Sequence, residues 1–476
     1  MSVFLNPIRL GLLPLTALVL TGCATTDRNW HGPAQRAPVA AARASYLRAP
    51  VDTRATAPAA HWWEALGDPV LNAIEARALI GSPDLAAAQA RIAQARATLD
   101  GARGAGAPSA SVSALAAEAS LPAALLGRSG RLSEQVYADN FQASWEADLF
   151  GANRRRTDAA GKRAEASVAA AGDVAVALSA QVARAYVDLR QQQAVAALLD
   201  RQVDDDQQAL VHAQNRLAGG TAPAQNVENA ATVLAQTRID LAQTRAQITI
   251  LGDQLAVLTG AEPGALDALV AAPAPVPQVP ATIAVGDPAQ LLRHRPDIRQ
   301  AEALLAAANA DVNARMADRF PKVSFTGILG LGGTSVTDAF TPASLIALIL
   351  PQIKWSPIDG GRSKALVRGA QGARDEAEAN YQARVLTALQ DAENALTRFG
   401  SQRIAVARSL EQRDAADRVA KLQAGRAAGG TVSRADAVLA ARQALRAQLG
   451  ALAAQAQLIT DFIAVEKALG LGWDQQ

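Results

Sequence analysis

Few side chains in this 476-residue chain are of a type that could do covalent or metal chemistry, and their spacing argues against it. The four histidines, His31, His61, His212 and His294, fall in different segments, at no spacing that makes a metal-binding face or a catalytic triad. His294, between Arg293 and Arg295, reads as a capping or interface residue. The run Gly327-Ile328-Leu329-Gly330-Leu331-Gly332-Gly333 could cradle a phosphate, but it lacks the Gly-Lys-Ser/Thr ending and reads as a turn between two strands. Asp204-Asp205-Asp206 lies in a long polar helical stretch and reads as a solvated surface or lumen lining. No catalytic group, metal site or bound cofactor is expected. With 46 basic and 44 acidic residues, no excess of positive charge points to nucleic acid.

One residue retains a chemical role. Cys23 is the sole cysteine, so no internal disulfide forms, and it follows a leader over 1–22 with Arg9, the apolar run Leu10 to Leu20 and then Thr21-Gly22. That apolar core is too short for an ordinary membrane span and has the form of a secretory signal. Leu20-Thr21-Gly22-Cys23 resembles the bacterial lipobox, which implies diacylglycerol on the sulfur and an acyl chain on the new amino terminus. Several acyl chains anchor a protein lastingly. Ala24 in place of an aspartate implies sorting to the outer membrane. Residues 23–60, rich in Ala, Pro, Arg and Thr, read as a tether.

The elements beyond the tether are written twice. Ser82-Pro83-Asp84-Leu85 returns as Arg295-Pro296-Asp297-Ile298, and Pro108 as Pro321, at an offset of 213. Gly219-Gly220-Thr221 returns as Gly429-Gly430-Thr431, and Gly260 as Gly470, at an offset of 210. Two copies of one unit, 61–260 and 288–472, therefore flank a proline-rich crossing linker, 261–287. Each copy predicts a helix of about 22 residues from Pro83 or Pro296, then a β-hairpin over about 108–150 or 320–356. A helix of about 65 residues follows from Ala152 or Gly361, then a glycine turn and a returning helix to about 259 or 469, with Pro223 suited to the first turn of the first returning helix. At 1.5 Å per residue the long helix spans about 98 Å, and the two shorter ones together nearly match it, stacked end to end. Eight of 18 aromatics, Tyr137, Phe141, Trp145, Phe150, Phe320, Phe325, Phe340 and Trp355, sit in the two hairpins, as in the girdle of a membrane barrel. The segment Leu126-Gly127-Arg128-Ser129-Gly130-Arg131 supplies the first hairpin turn. Four strands cannot close a barrel in lipid, so several chains must contribute.

Specific motifs agree. His61-Trp62-Trp63-Glu64-Ala65-Leu66-Gly67-Asp68-Pro69, Leu291-Leu292-Arg293-His294-Arg295-Pro296-Asp297-Ile298 and Phe320-Pro321 resemble outer-membrane efflux lipoproteins of the NodT type, in the TolC/OprM superfamily. The resemblance runs from Cys23 to Trp473. It implies an α+β membrane protein, a TolC-like tandem repeat in which three chains build one twelve-stranded barrel joined to a long periplasmic α-helical barrel. It further implies a homotrimeric exit channel of a tripartite efflux system, passing drugs or other small molecules from a periplasmic adaptor and an inner-membrane pump of the RND type. Other readings are a type I protein-secretion duct and a structural periplasmic lipoprotein without a pore. The helix turns become the periplasmic gate and adaptor-docking tip, with Arg216, Asn226, Arg426, Arg434, Asp436 and Arg442 as candidates by position. Leu439 stands where some relatives carry an acid, so no acidic ring is expected at that level.

Overall fold

The computed structural model describes residues 45–50, 53–54, 56, 59–122, 131–335, 337 and 341–473. Cys23, the leader, Phe340 and the first hairpin turn up to Gly130 lie outside them. All described residues belong to one compact unit.

Element order follows the duplication. A short strand β1 (Thr53–Arg54) and a 3-10 turn (Trp62–Leu66) precede α1 (Pro69–Gly81), α2 (Pro83–Gly104), β2 (Ser109–Pro122), β3 (Arg131–Ala147), α3 (Ala152–Ala218) and α4 (Ala224–Leu258). After a one-turn α5 (Asp267–Val270) and β4 (Ile283–Ala284) come α6 (Pro288–His294), α7 (Pro296–Ala317), β5 (Lys322–Gly333), β6 (Leu345–Lys354), α8 (Arg362–Ala428) and α9 (Arg434–Ala468). The paired helices agree in length: 22 residues for α2 and α7, 67 for α3 and α8, 35 for α4 and α9. The long helices span about 100 Å, and each shorter pair about 85 Å. Both α2 and α4 pack on α3, while α7 and α9 pack on α8 and also on α3, so each long helix carries two short ones along its length.

The join between stacked helices explains the duplicated glycines. Gly260 has φ of 75°, and a Cβ on it would lie 2.1 Å from the Gly81 carbonyl oxygen. Gly470, at φ of 77°, would collide with Arg295 in the same way. Only glycine tolerates both the left-handed backbone and the close approach. Around these joins lies the main apolar core, which gathers Trp62, Trp63, Ile74, Tyr186, Leu255, Leu396, Phe399 and Phe462. Trp62 packs edge-on to Trp63 and to Phe462, so the sequence's Trp-Trp pair links the start of the fold to its end.

Four differences from the sequence reading have physical causes. The tether is shorter than 23–60: Tyr46 is buried, and the amides of Leu47 and Arg48 donate to the Glu393 carboxylate at 2.8 and 2.9 Å. Residues 261–287 are more than a linker, because β4 pairs in parallel with β1 and the Asp287 side chain caps α6. Pro223 does not open α4 but stands at its N-cap with extended backbone. Gly327 to Gly333 belongs to strand β5, not to a turn. A Cβ at Gly330 would meet the Asp139 carbonyl oxygen at 2.4 Å, so the glycine lets β3 lie close.

Candidate functional site

Two places in the fold carry functional geometry: the sheet at one end of the helices and the turns at the other. The sheet is a four-stranded antiparallel meander in the order β2-β3-β5-β6, so it joins the two copies through the β3–β5 pair. Nothing among the described residues pairs the outer edges of β2 and β6.

Cross-strand register separates the two faces. Val112 opposes Phe141, Trp145 opposes Phe325, and Phe325 opposes Pro351, which puts Val112, Phe141, Trp145, Phe325, Leu329, Ile349 and Ile353 on one face. These side chains are exposed, Val112 by 79% and Ile349 by 78%. The other face carries Ser111, Ser113, Asn140, Gln142, Ser144, Glu146, Ser324, Thr326 and Gln352, with Leu115, Val136, Ile328, Ile346, Leu348 and Leu350 among them. Water-facing apolar side chains in such number have no counterpart in a soluble sheet, whereas a lipid-facing and a lumen-facing side alternate in this manner.

Aromatic residues mark the foot of the sheet. Trp145 stacks on Phe325 at 5.9 Å between centroids, and Phe150 on Phe320 at 4.8 Å. The Trp145 indole donates to the Gly106 carbonyl at 3.2 Å, and the Trp355 indole to the Arg319 carbonyl at 3.1 Å. Donors and acceptors repeat at the offsets of 210 and 213, so the duplication reaches single hydrogen bonds.

At the far end the glycine turns reverse the chain. Gly220 and Gly430 adopt φ of 66° and 72°, and the amides of Thr221 and Thr431 donate to the carbonyls of Arg216 and Arg426 at 2.8 and 2.9 Å. The Arg216 guanidinium donates to the Thr221 carbonyl at 3.2 Å and so braces its own turn. Asp436 forms a capping box with Ser433. Asn226, Arg426 and Arg434 are exposed, and their side chains make no polar contact among the described residues. Leu439 is 61% exposed where an acid was not expected.

Arg442 alone of the six candidates joins the two copies. Its Nη2 donates to Asp206 Oδ1 at 3.0 Å, from α9 to α3. Asp206 is 3% exposed and also accepts from Gln202 Nε2 at 2.8 Å and from Thr237 Oγ1 on α4 at 2.7 Å. One carboxylate thus ties three helices. The reading of Asp204-Asp205-Asp206 as a solvated face therefore fails for its third member, because α9 and α4 close over it; Asp204 and Asp205 remain exposed. Sequence spacing missed Asp206 because its partner is 236 residues away. A signal was present in the repeat itself: the offset of 210 puts Ala416 opposite Asp206 and Thr232 opposite Arg442, so the latch belongs to neither copy alone. By helix rise it sits about 12 to 20 Å above the turns.

Arg295 was also missed. Its guanidinium grips Asp297 at 2.9 and 2.7 Å, donates to the Ala468 carbonyl at 2.9 Å and approaches Asp391 at 3.5 Å, fastening α7 to the end of α9. The neighbouring His294, read as a capping or interface residue, is the last residue of α6.

The comparisons with known proteins point one way. Residues 76–261 and 288–471 match the family described as "Outer membrane efflux protein", copy by copy. The pyoverdine export outer membrane protein OpmQ of Pseudomonas aeruginosa is 31% identical over 434 residues, 87% of each chain. Nodulation protein T of Rhizobium leguminosarum bv. trifolii is 26% identical over 405 residues, 80% of each chain. The solved structure of the outer-membrane channel OprN superposes with a TM-score of 0.83 at 28% identity, covering 92% of this chain and 98% of that one. With the split-faced sheet, the paired 67-residue helices and both copies matched, the chain belongs to the outer membrane efflux protein family, as an outer-membrane factor of the NodT/TolC/OprM type.

Proposed function

We propose that three copies of this chain form a lipid-anchored duct that carries small molecules passively across the outer membrane, from a periplasmic adaptor and an inner-membrane pump of the RND type. The observation that carries this reading is the sheet: almost wholly apolar on one face, rich in polar side chains on the other, and open at both edges among the described residues. Open strand edges are not tolerated in hydrocarbon, so β6 of one copy pairs with β2 of the next until the ring closes. Three copies give the twelve strands the family resemblance implies, and the helices continue the wall into the periplasm. Relatives named for export of pyoverdine and efflux of toluene support a small-molecule cargo. Acylation of Cys23 adds the anchor.

The duct does no bond chemistry. Its working parts are a lumen, a gate and a docking tip. We assign the gate to the Arg442–Asp206 latch, because it is the tie between the copies nearest the turns, and the docking tip to exposed Asn226, Arg426 and Arg434. Opening swings α9 away from α3 and breaks the latch, a shear of packed helices biased by whatever binds the tip.

Cysteine trapping tests the assembly. In a Cys23→Ser background, single cysteines placed on β2 (at Val112 or Ser113) and on β6 (at Leu348 or Ile349) should give, on oxidation, a gel ladder of two and three chains and nothing larger. A ladder continuing beyond three, or no cross-link in any combination, contradicts the closed ring.

A further inference from the structure

We infer that the junction between sheet and long helices is a binding belt for anionic phospholipid headgroups of the periplasm-facing leaflet. This rests on the barrel reading above for its depth, and its cations are residues that reading does not use.

Both copies build the junction alike. β3 ends at Ala147 and β6 at Lys354, and each chain segment then passes through a left-handed glycine, Gly151 at φ of 77° or Gly361 at 87°, into a long helix. The first turns that follow are basic, Arg154-Arg155-Arg156 in α3 and Arg362-Ser363-Lys364 in α8, and neither holds an acid. Helix electrostatics disfavours this, since the amino-terminal end is already the positive pole. By contrast α2, α7 and α9 carry Asp84, Asp297 and Asp436 in their first turns. Asp148 and Asp359, just ahead of α3 and α8, answer that pole by accepting from the Arg154 and Ser363 amides, and both copies nevertheless add further cations beside it.

Some of this charge is answered internally. Arg156 and Lys322 pair with Asp318, and Arg155 approaches Asp158 at 3.5 Å. Arg154, Arg319, Arg362 and Lys364 are exposed, and among the described residues no carboxylate pairs with them. Directly beside them stand apolar side chains turned out to solvent: Leu149 at 66%, Ile358 at 93% and Trp355 at 53% exposure. The backbone-anchored indoles of Trp145 and Trp355 fix the level.

Cations, anchored indoles and bare aliphatic groups within a few residues of one another match the chemistry of a headgroup layer. Phosphate meets the guanidinium and ammonium groups, glycerol meets the indoles, and the first methylenes meet Ile358 and Leu149. A free anion would need no aliphatic neighbours.

Bromolipid quenching of tryptophan tests the belt. The full-length chain, with Trp30→Phe so that the indole nearest the anchor cysteine in sequence does not contribute, is placed in bilayers containing brominated phosphatidylglycerol or brominated phosphatidylcholine. Quenching should favour phosphatidylglycerol by about fivefold or more in apparent affinity, and Arg154→Ala/Arg362→Ala/Lys364→Ala should cut the preference below about twofold. The corresponding Arg→Lys variant, leaving Lys364 in place, should retain it. Equal quenching by both lipids in the parent, or full preference in the triple alanine variant, overturns the belt while leaving the barrel intact. Loss of the preference on adding free glycerol phosphate at millimolar concentration assigns the cations to a soluble anion and also overturns it. Quenching by neither lipid removes the barrel's membrane placement together with the belt.

Discussion

At the scale of single residues, two carboxylic acids among the described residues of the periplasmic core, Glu75 and Glu466, are buried with unpaired carboxylate oxygens and no salt bridge. Glu75 is wholly buried, with neither carboxylate oxygen hydrogen-bonded, and Glu466 is 4% exposed with Oε2 unpaired. Burial pushes the Glu75 carboxyl well above the ordinary range and that of Glu466 up to about 8. A group whose folded value is raised keeps its proton while the unfolded chain releases its own. Stability from Glu466 is therefore fully present below pH 4.5, the ordinary value, and is lost as pH rises to about 8. The slope is about 1.4 kcal/mol per pH unit within that window. Glu466→Gln should leave the melting temperature near that of the parent at pH 5 and raise it progressively above the parent toward pH 8. A difference independent of pH would contradict the neutral acid.

Arg190 is the opposite case, a buried cation whose partners are all neutral. It donates to Tyr186 Oη at 2.9 Å, Gln193 Oε1 at 2.8 Å and the Ala272 carbonyl at 2.7 Å, while Tyr186 donates to Asp68 at 2.7 Å. Arg190→Met strands several buried acceptors and should cost about 3 kcal/mol in urea unfolding. A cost below about 1 kcal/mol would mean that water replaces the guanidinium. Neither this hub nor the Arg295 clamp could be read beforehand. In a sequence with no alignment, Arg190 is one of many arginines on helices, and its partners lie up to 82 residues away.

At the scale of elements, the duplication made most boundaries legible because each was written twice. The α2 span, Pro83–Gly104, follows from proline at its start and Pro108 beyond its end. Long helices and glycine turns followed from periodicity and left-handed residues, which are local properties. What failed was non-local. The glycine run of β5 looked like a turn because glycine's local preference hides the strand register that β3 imposes, and Asp206 looked solvated because α4 and, from the other copy, α9 close over it. Tyr46 was taken for tether for the same reason, its neighbours being far along the chain. The joins offer a sharp check. Gly260→Ala places a methyl where the Gly81 carbonyl oxygen lies at 2.1 Å and forces φ of 75° on alanine, so the corner between α1 and α2 must part from the end of α4. The expected loss is at least about 2 kcal/mol in denaturant unfolding. Gly369→Ala, at a helical glycine with nothing near its added Cβ, should be neutral or slightly stabilising, and equal losses in the two would contradict the join.

At the scale of the whole molecule, the proposed assembly makes the chain a third of a tube whose two ends do different work. In that proposal the sheet end meets lipid, with the girdle and the inferred cation belt fixing its depth, and the turn end meets protein. About 100 Å of helix separates them. Between them the core is thickest at the joins and thins toward the turns, where most side chains of α4 and α9 are exposed. That gradient suits a tip that opens while the joins stay closed. It also makes the Asp206 latch decisive, since few other buried ties resist the swing of α9. Conductance is the most direct test of the duct and its gate. Purified trimers in planar bilayers should give discrete, small single-channel steps for the parent chain, and Arg442→Ala should enlarge those steps severalfold with the trimer still intact on gels. Absence of steps from both proteins, with insertion verified by protease protection, would contradict a duct, and equal steps from both would contradict the latch.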